Sequence, residues 1–281
     1  MTDLALIDCH THVVSPDPEA YPLNPRDLSG QWYLDGPASA EDLAREMDAS
    51  GVSQAILVQG VGAYTYDNRY AADSAAASPD RFVSACAIDV EAKDAVAELD
   101  RWIEGRGMRG VRLFALSREG PSWLTDEATF PIWDRAAELG AHVIVTILPH
   151  QLDELDVVLK QFPKTPVSLD HCGFALSSPD SRDRLFELAA HTNLNLKIST
   201  HNLDDAVRID GHARGLVRTL VDRFGANRLM WGSDYCQTHD RSYGELVALA
   251  RDAFSELSPE DRIACFAETP RRLWPDLAAR R

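Results

Sequence analysis

The chain has 281 residues, with 28 Lys and Arg against 44 Asp and Glu, for a formal charge of −16. A field of that sign repels nucleic acid and anionic membrane, so neither is an expected partner, although a few local cations can still hold a small anionic substrate in a pocket. Hydrophobic residues at 45% and charged residues at 26% fit a globular protein with a sizeable core, and no apolar stretch approaches the ~18 residues of a spanning helix.

The first predicted element is a strand at Leu4–Asp8, with no basic leader before it, from which a cytoplasmic location is expected. The segment Val13–Ala38, rich in Pro, Gly and aromatic residues, reads as a long functional loop. A helix over Ser39–Ser50 starts on a capping-box pattern and stops at Gly51. Strands follow at Gln54–Val58, Phe82–Ile88, Gly110–Phe114, His142–Leu148, Pro166–Leu169, Leu194–Ser199 and Leu229–Gly232. Helical spacing of apolar residues marks Leu99–Gly105, Asp126–Leu139, Leu152–Phe162, Asp180–Ala190, Gly215–Phe224 and Ser242–Phe254. Two short helices, Pro259–Ala267 and Pro270–Leu277, are expected to close the base.

The eight strands are nearly continuous in hydrophobicity, as suits strands covered on both faces. Eight alternating units favour a single-domain (β/α)8 TIM barrel over residues 1–281, and the absence of a Gly-rich or Walker phosphate loop argues against a nucleotide-binding open sheet. The five cysteines, Cys9, Cys86, Cys172, Cys236 and Cys265, are odd in number and form no C-x-x-C pair; buried free thiols are expected.

Barrel active sites gather at the carboxyl ends of the strands. The first strand ends Asp8-Cys9-His10-Thr11-His12, and alternation sets His10 and His12 on one side of the chain, able to converge on one metal or one substrate group. The sixth ends Asp170-His171-Cys172-Gly173 and the eighth Trp231-Gly232-Ser233-Asp234. Asp8 and Asp170 read equally as partners of the histidines or as simple caps. Arg112 ends the fourth strand, where a guanidinium can grip a carboxylate in bidentate fashion. Arg69, Tyr64 and Tyr66, which follow the second strand, are further substrate-binding candidates, with Gln59 and Ser199. Tyr21, Trp32 and Tyr33 in the long loop are candidates for the pocket wall. Lys197, in mid-strand, is an odd residue for a barrel core and suggests a buried ion pair, with Schiff-base chemistry as the alternative. His142, His191, His201 and His212 are expected to be solvated, and His150 to be a surface or cap residue.

In order along the chain, the D-C-H-T-H opening, D-N-R-Y (Asp67–Tyr70), G-V-R-L (Gly110–Leu113), L-D-H-C-G (Leu169–Gly173), L-K-I-S (Leu196–Ser199) and W-G-S-D (Trp231–Asp234) resemble the amidohydrolase superfamily. The likeness is to its amidohydrolase-related branch, which includes 2-pyrone-4,6-dicarboxylate lactonase and sugar lactonases. The resemblance implies that His10 and His12 bind a metal or polarise a scissile carbonyl, that His171 joins them, and that Asp234 is the general base. It also implies that Arg112 binds a substrate carboxylate.

One position departs from the metal-dependent pattern: Thr146 stands where the fifth strand usually carries a further ligand. The resemblance therefore implies either no obligatory cofactor or one divalent metal, zinc first, held by His10, His12, Asp234 and His171, and not a two-metal centre. The expected activity is opening of a lactone of a small carboxylated or sugar-acid substrate by water that Asp234 activates. The alternatives are a metal-dependent non-oxidative decarboxylase and a non-catalytic binding barrel. Homo-oligomerisation is compatible with either enzyme.

Overall fold

Strands that are apolar on both faces must be covered on both, and this chain does so by closing its sheet on itself. The computed structural model describes residues 6–26, 28, 30–117 and 122–278. Its eight parallel strands are β1 (Leu6–Thr11), β2 (Val52–Val58), β3 (Phe82–Ala87), β4 (Gly110–Phe114), β5 (His142–Thr146), β6 (Val167–Leu169), β7 (Leu194–Ser199) and β8 (Leu229–Gly232), paired in chain order. Leu4 and Ala5 of the expected first strand lie outside the described residues.

The ring is completed where β8 meets β1. Asp234 N donates to His10 O at 2.8 Å, and Thr11 bridges Tyr235. The buried Asp8 carboxylate clasps the seam, accepting from Ser233 N at 2.9 Å and from the Tyr243 hydroxyl at 3.0 Å.

Alternation divides the strand residues into two sets. Val111, Leu113, Val143, Val145, Leu169, Leu196 and Ile198 join the core under the helices, each contributing on the order of 2 kcal/mol by burial. Ile7, Cys9, Ile56, Val58, Val83, Ala85, Ile144 and Met230 form a second cluster with Leu273, Trp274 and Leu277 from the final helices, which close one end. Towards the other end the inward residues become polar, among them Arg112, Thr146, Asp170, Lys197 and Ser199, all buried. All the cysteines are free and buried, as expected.

The helices differ from the sequence expectation where large apolar residues at helical spacing are few. Helices at Arg69–Ala77 and Thr200–Asp210 are additional to the expected ones; the latter begins on a capping box between Ser199 and Asn202. The long loop contains a short helix at Trp32–Asp35. Among the described residues, no helix is long and apolar enough to cross a membrane.

His142 also departs from expectation. It is buried against Trp274, with Nε2 2.6 Å from Ser168 Oγ, and burial pulls its pKa from 6.5 down to about 3. The unfolded chain takes up this proton below about pH 6.5 and the folded chain does not, so stability present above that pH is lost as pH falls towards 3. From pH 6.5 to 5 the loss is about 2 kcal/mol for this group. Urea midpoints at pH 7 and pH 5 are expected to lie closer together in His142→Gln than in the parent chain.

Gly232 on β8 marks the tightest approach to the site. A Cβ there would stand 2.5 Å from His10 Cβ and 2.9 Å from His10 N. Gly232→Ala is expected to cost about 1–3 kcal/mol, seen in chemical denaturation, because neither backbone can yield without displacing His10.

Candidate functional site

His10 and His12 converge as expected, but strict alternation does not bring them there. Pairing of β1 with β2 slips between Asp8 and Thr11, an irregularity that turns His10 to the barrel axis directly after the inward Cys9. His12 Nδ1 donates to Val58 O at 2.8 Å, which leaves Nε2 without a proton in the neutral ring. His10 Nε2 and His12 Nε2 lie 3.5 and 3.3 Å from the same atom, Asp234 Oδ1.

Asp234 follows β8 in the left-handed region, with φ 62°. Burial would raise its carboxyl pKa, but the neighbouring imidazoles of His12, His171 and His10 outweigh it and hold the group below the usual carboxylate range.

His171 enters from the end of β6 on an unusual backbone. His171, Cys172, Gly173 and Phe174 are all left-handed, with φ between 50° and 62°. A non-glycine residue pays roughly 1–2 kcal/mol there, so the turn must be held from outside. Asn202 Nδ2 donates to His171 O at 2.9 Å, His171 Nδ1 sits 2.9 Å from Ser199 Oγ, and the Phe174 ring stacks on the imidazole at 5.0 Å. Burial, the largest influence, lowers the pKa of His171 and takes that of His10 well below the histidine range.

Behind these groups lies a buried charge network centred on Asp170. Its Oδ2 accepts from Arg112 Nε at 2.8 Å and from the Thr146 hydroxyl at 2.8 Å. Its Oδ1 lies 3.1 Å from Lys197 Nζ and 3.3 Å from His10 Nδ1. Burial would raise the carboxyl pKa, yet Lys197, His10 and Arg112 hold it well below the ordinary value. Lys197 is thus in the buried ion pair that its sequence position suggested.

A cavity of ≈ 360 Å³, of the size that takes a small molecule, opens over these residues. His12, His171, Arg112, Thr146 and Gln237 supply its polar lining; Phe114, Leu116, Leu148 and Phe174 are among the apolar residues. Among the described residues, Arg112 makes both of its hydrogen bonds through Nε, which leaves the terminal nitrogens for a ligand, end-on. His10 and Asp234 do not line the cavity; they stand against the lining residues His12, His171 and Gln237.

Other expected residues lie elsewhere. Arg69 pairs with Asp67, with Nη2 2.6 Å from Oδ2, and packs on Tyr21. The Tyr64 hydroxyl accepts from Ser15 N at 2.8 Å inside a cluster with Trp32 and Tyr33, and Gln59 braces the backbone of Thr65 and Asp67. Ser199 touches His171 rather than the cavity, and Trp32 backs the His12 ring at 5.5 Å. Tyr66 lines a neighbouring cavity. Sequence reasoning missed Gln237 and Phe174; the only signal for them was their nearness to Asp234 and His171.

The donor set fits one divalent cation. The ligand atoms of His10, His12 and Asp234 fall within 4.8 Å of one another, and His10 Nε2 and Asp234 Oδ1 are buried with no hydrogen-bond partner. A second group, His10, Asp170 and His171, meets the same distance. That group already has the Lys197 ammonium and the Arg112 guanidinium on its carboxylate, so a further cation there would be repelled.

The family model described as Amidohydrolase matches residues 7–275. The chain is 28% identical to L-fucono-1,5-lactonase from Burkholderia ambifaria over 281 residues, covering 92% of each. Among solved structures, a candidate 2-pyrone-4,6-dicarboxylic acid hydrolase from Pseudomonas putida is similar with a TM-score of 0.77 and 25% identity, covering 97% of this chain and 98% of that one. A zinc-bound amidohydrolase from Burkholderia multivorans gives a TM-score of 0.76 at 24% identity over 96% and 99%, a likeness of fold.

Proposed function

The chain belongs to the amidohydrolase family, and from that premise we propose that it is a hydrolase opening the lactone ring of a small carboxylated or sugar-acid substrate. The observation that carries this reading is the meeting of Asp234 Oδ1 with two imidazole nitrogens, 3.3 and 3.5 Å away, beside a cavity whose wall holds Arg112. The similarity to L-fucono-1,5-lactonase supports the lactone as substrate class.

Ring opening needs a deprotonated water, a polarised carbonyl and a proton for the leaving oxygen. Asp234, ionised at neutral pH, accepts the proton of the attacking water and later delivers it to the ring oxygen. His171, on the cavity, faces the carbonyl oxygen on which negative charge develops, while His12, also on the cavity, turns its unprotonated Nε2 to Asp234 Oδ1. Arg112 holds a substrate carboxylate through its terminal nitrogens. His10, His12 and Asp234 would hold a divalent metal, zinc by its taste for imidazole and carboxylate, with His171 close by; when bound, it supplies Lewis-acid polarisation and a more acidic water.

The test is a panel of aldonolactones and carboxylated pyrones followed by acid release, before and after chelation and metal add-back. Acid production that Asp234→Asn abolishes supports the reading. Carbon dioxide release from aromatic acids in place of ring opening replaces it with a decarboxylase.

A further inference from the structure

The two oxygens of the Asp170 carboxylate face different partners. Oδ2 is taken by two donors, Arg112 Nε and the Thr146 hydroxyl, each at 2.8 Å. Oδ1 is turned to His10 Nδ1 at 3.3 Å and Lys197 Nζ at 3.1 Å. Asp170, His10 and Lys197 are buried behind the cavity, while Arg112 and Thr146, also buried, reach its wall.

We propose that Asp170 is a positioning residue that fixes the proton of His10 on Nδ1 and thereby presents His10 Nε2 as a bare lone pair towards Asp234. An ionised carboxylate only accepts, so an imidazole nitrogen set against it carries the hydrogen. Lys197 does not reverse this. Its Nζ is nearer to Asp170 Oδ1 than to His10 Nδ1, at 3.1 against 3.5 Å, and the carboxylate is the stronger acceptor.

His12 reaches the same tautomer by a separate route, through Val58 O at 2.8 Å. Two lone pairs and a carboxylate oxygen then face one another with no hydrogen between them, an arrangement completed by a cation. His10 Nε2 and Asp234 Oδ1 are accordingly buried without partners, and Asp170 Oδ1 is held to His10 Nδ1 and Lys197 Nζ by charge contacts at 3.3 and 3.1 Å rather than by an aligned hydrogen bond.

The same scheme gives Thr146 a purpose. At the fifth-strand position that the sequence left without a metal ligand, its hydroxyl locks the rotation of Asp170 by engaging Oδ2 beside Arg112. This deepens the function proposed above and rests on it for what the lone pairs serve.

Multiple-bond proton–nitrogen NMR on histidine-labelled protein reads the tautomer directly, as isolated and after chelation, whatever the substrate proves to be. The parent chain is expected to show His10 protonated at Nδ1 in both. In Asp170→Asn the amide oxygen must stay with the donors Arg112 and Thr146, which turns the amide NH2 to His10; after chelation the proton moves to Nε2. Circular dichroism confirms that the variant folds. Should it not fold, Asp170→Asn combined with Lys197→Met removes the unpaired ammonium and carries the same test, since Arg112 and Thr146 still orient the amide. His10 protonated at Nε2 in the chelated parent chain, or Nδ1–H retained in the folded Asn variant, overturns the proposal. Failure of the lactone panel leaves the tautomer result standing, so the two readings fail separately.

Discussion

Asp234→Asn is expected to leave the barrel folded and to lower kcat for ring opening by about 10²–10⁴-fold, the usual contribution of a general base. The substitution keeps the shape of the side chain and its place between His10 and His12, 3.5 and 3.3 Å from Oδ1 in the parent chain. It removes the capacity to accept a proton. The new amide NH2 can donate to either Nε2, so the variant does not leave these buried atoms unpaired and stability changes little. Initial rates and a thermal melt check both halves. A variant that melts normally and turns over at the parent rate removes Asp234 from the reaction. The imidazoles keep the carboxyl below its usual range against the upward pull of burial, so Asp234 is ionised and able to accept a proton at neutral pH.

Arg112→Met is expected to act on stability and on substrate choice together. Arg112 is 5% exposed and its Nε bonds Asp170 and Thr146, so its loss removes one of the two cations on a fully buried carboxylate. Breaking a buried pair from one side costs about 3–5 kcal/mol, and the low end applies because Lys197 remains at 3.1 Å. The methionine fills the space of the stem but offers no donors to the cavity. For carboxylated lactones kcat/KM is expected to fall about 10–100-fold, the worth of a hydrogen bond to a charged group. For neutral lactones the fall is expected to be small. Chemical denaturation and a paired comparison of neutral and carboxylated substrates check this, and equal losses on the two would take Arg112 out of substrate binding.

Much of the site was legible in the sequence because barrel topology makes strand ends meaningful. His10, His12, His171, Asp234 and Arg112 were singled out at the ends of their strands, and the structure gathers all five around one cavity or directly behind its lining. Local pattern failed where a side chain's partner lies close in sequence or across the barrel. Arg69 reads as a free cation, yet Asp67, two residues away, takes it in a chelate that no strand-end argument can foresee. Tyr64 sits on a short helix whose direction depends on the long loop, and it ends on Ser15 N.

His142 is of a residue type common at the surface but starts a buried strand, so it packs on Trp274, which is 132 positions later, between two terminal helices that only the closed barrel brings near. Asp170 was equally a cap or a partner in the sequence. Its place as a hub depends on Arg112, Thr146 and Lys197 arriving from three other strands, a matter of tertiary register rather than of motif.

The left-handed run at His171–Phe174 also bears on what the cavity can admit. Two of its rings, His171 and Phe174, stack at 5.0 Å on a backbone pinned by Asn202, so that wall is already ordered before a ligand arrives. A ligand that fits has little side-chain entropy to extract from it, which favours tight selection by outline over adaptation. One that does not fit meets a wall that cannot step aside without unwinding four consecutive left-handed residues. New substrate scope is therefore more readily sought by resizing Leu116 or Leu148, which line the same cavity, than by asking this turn to move.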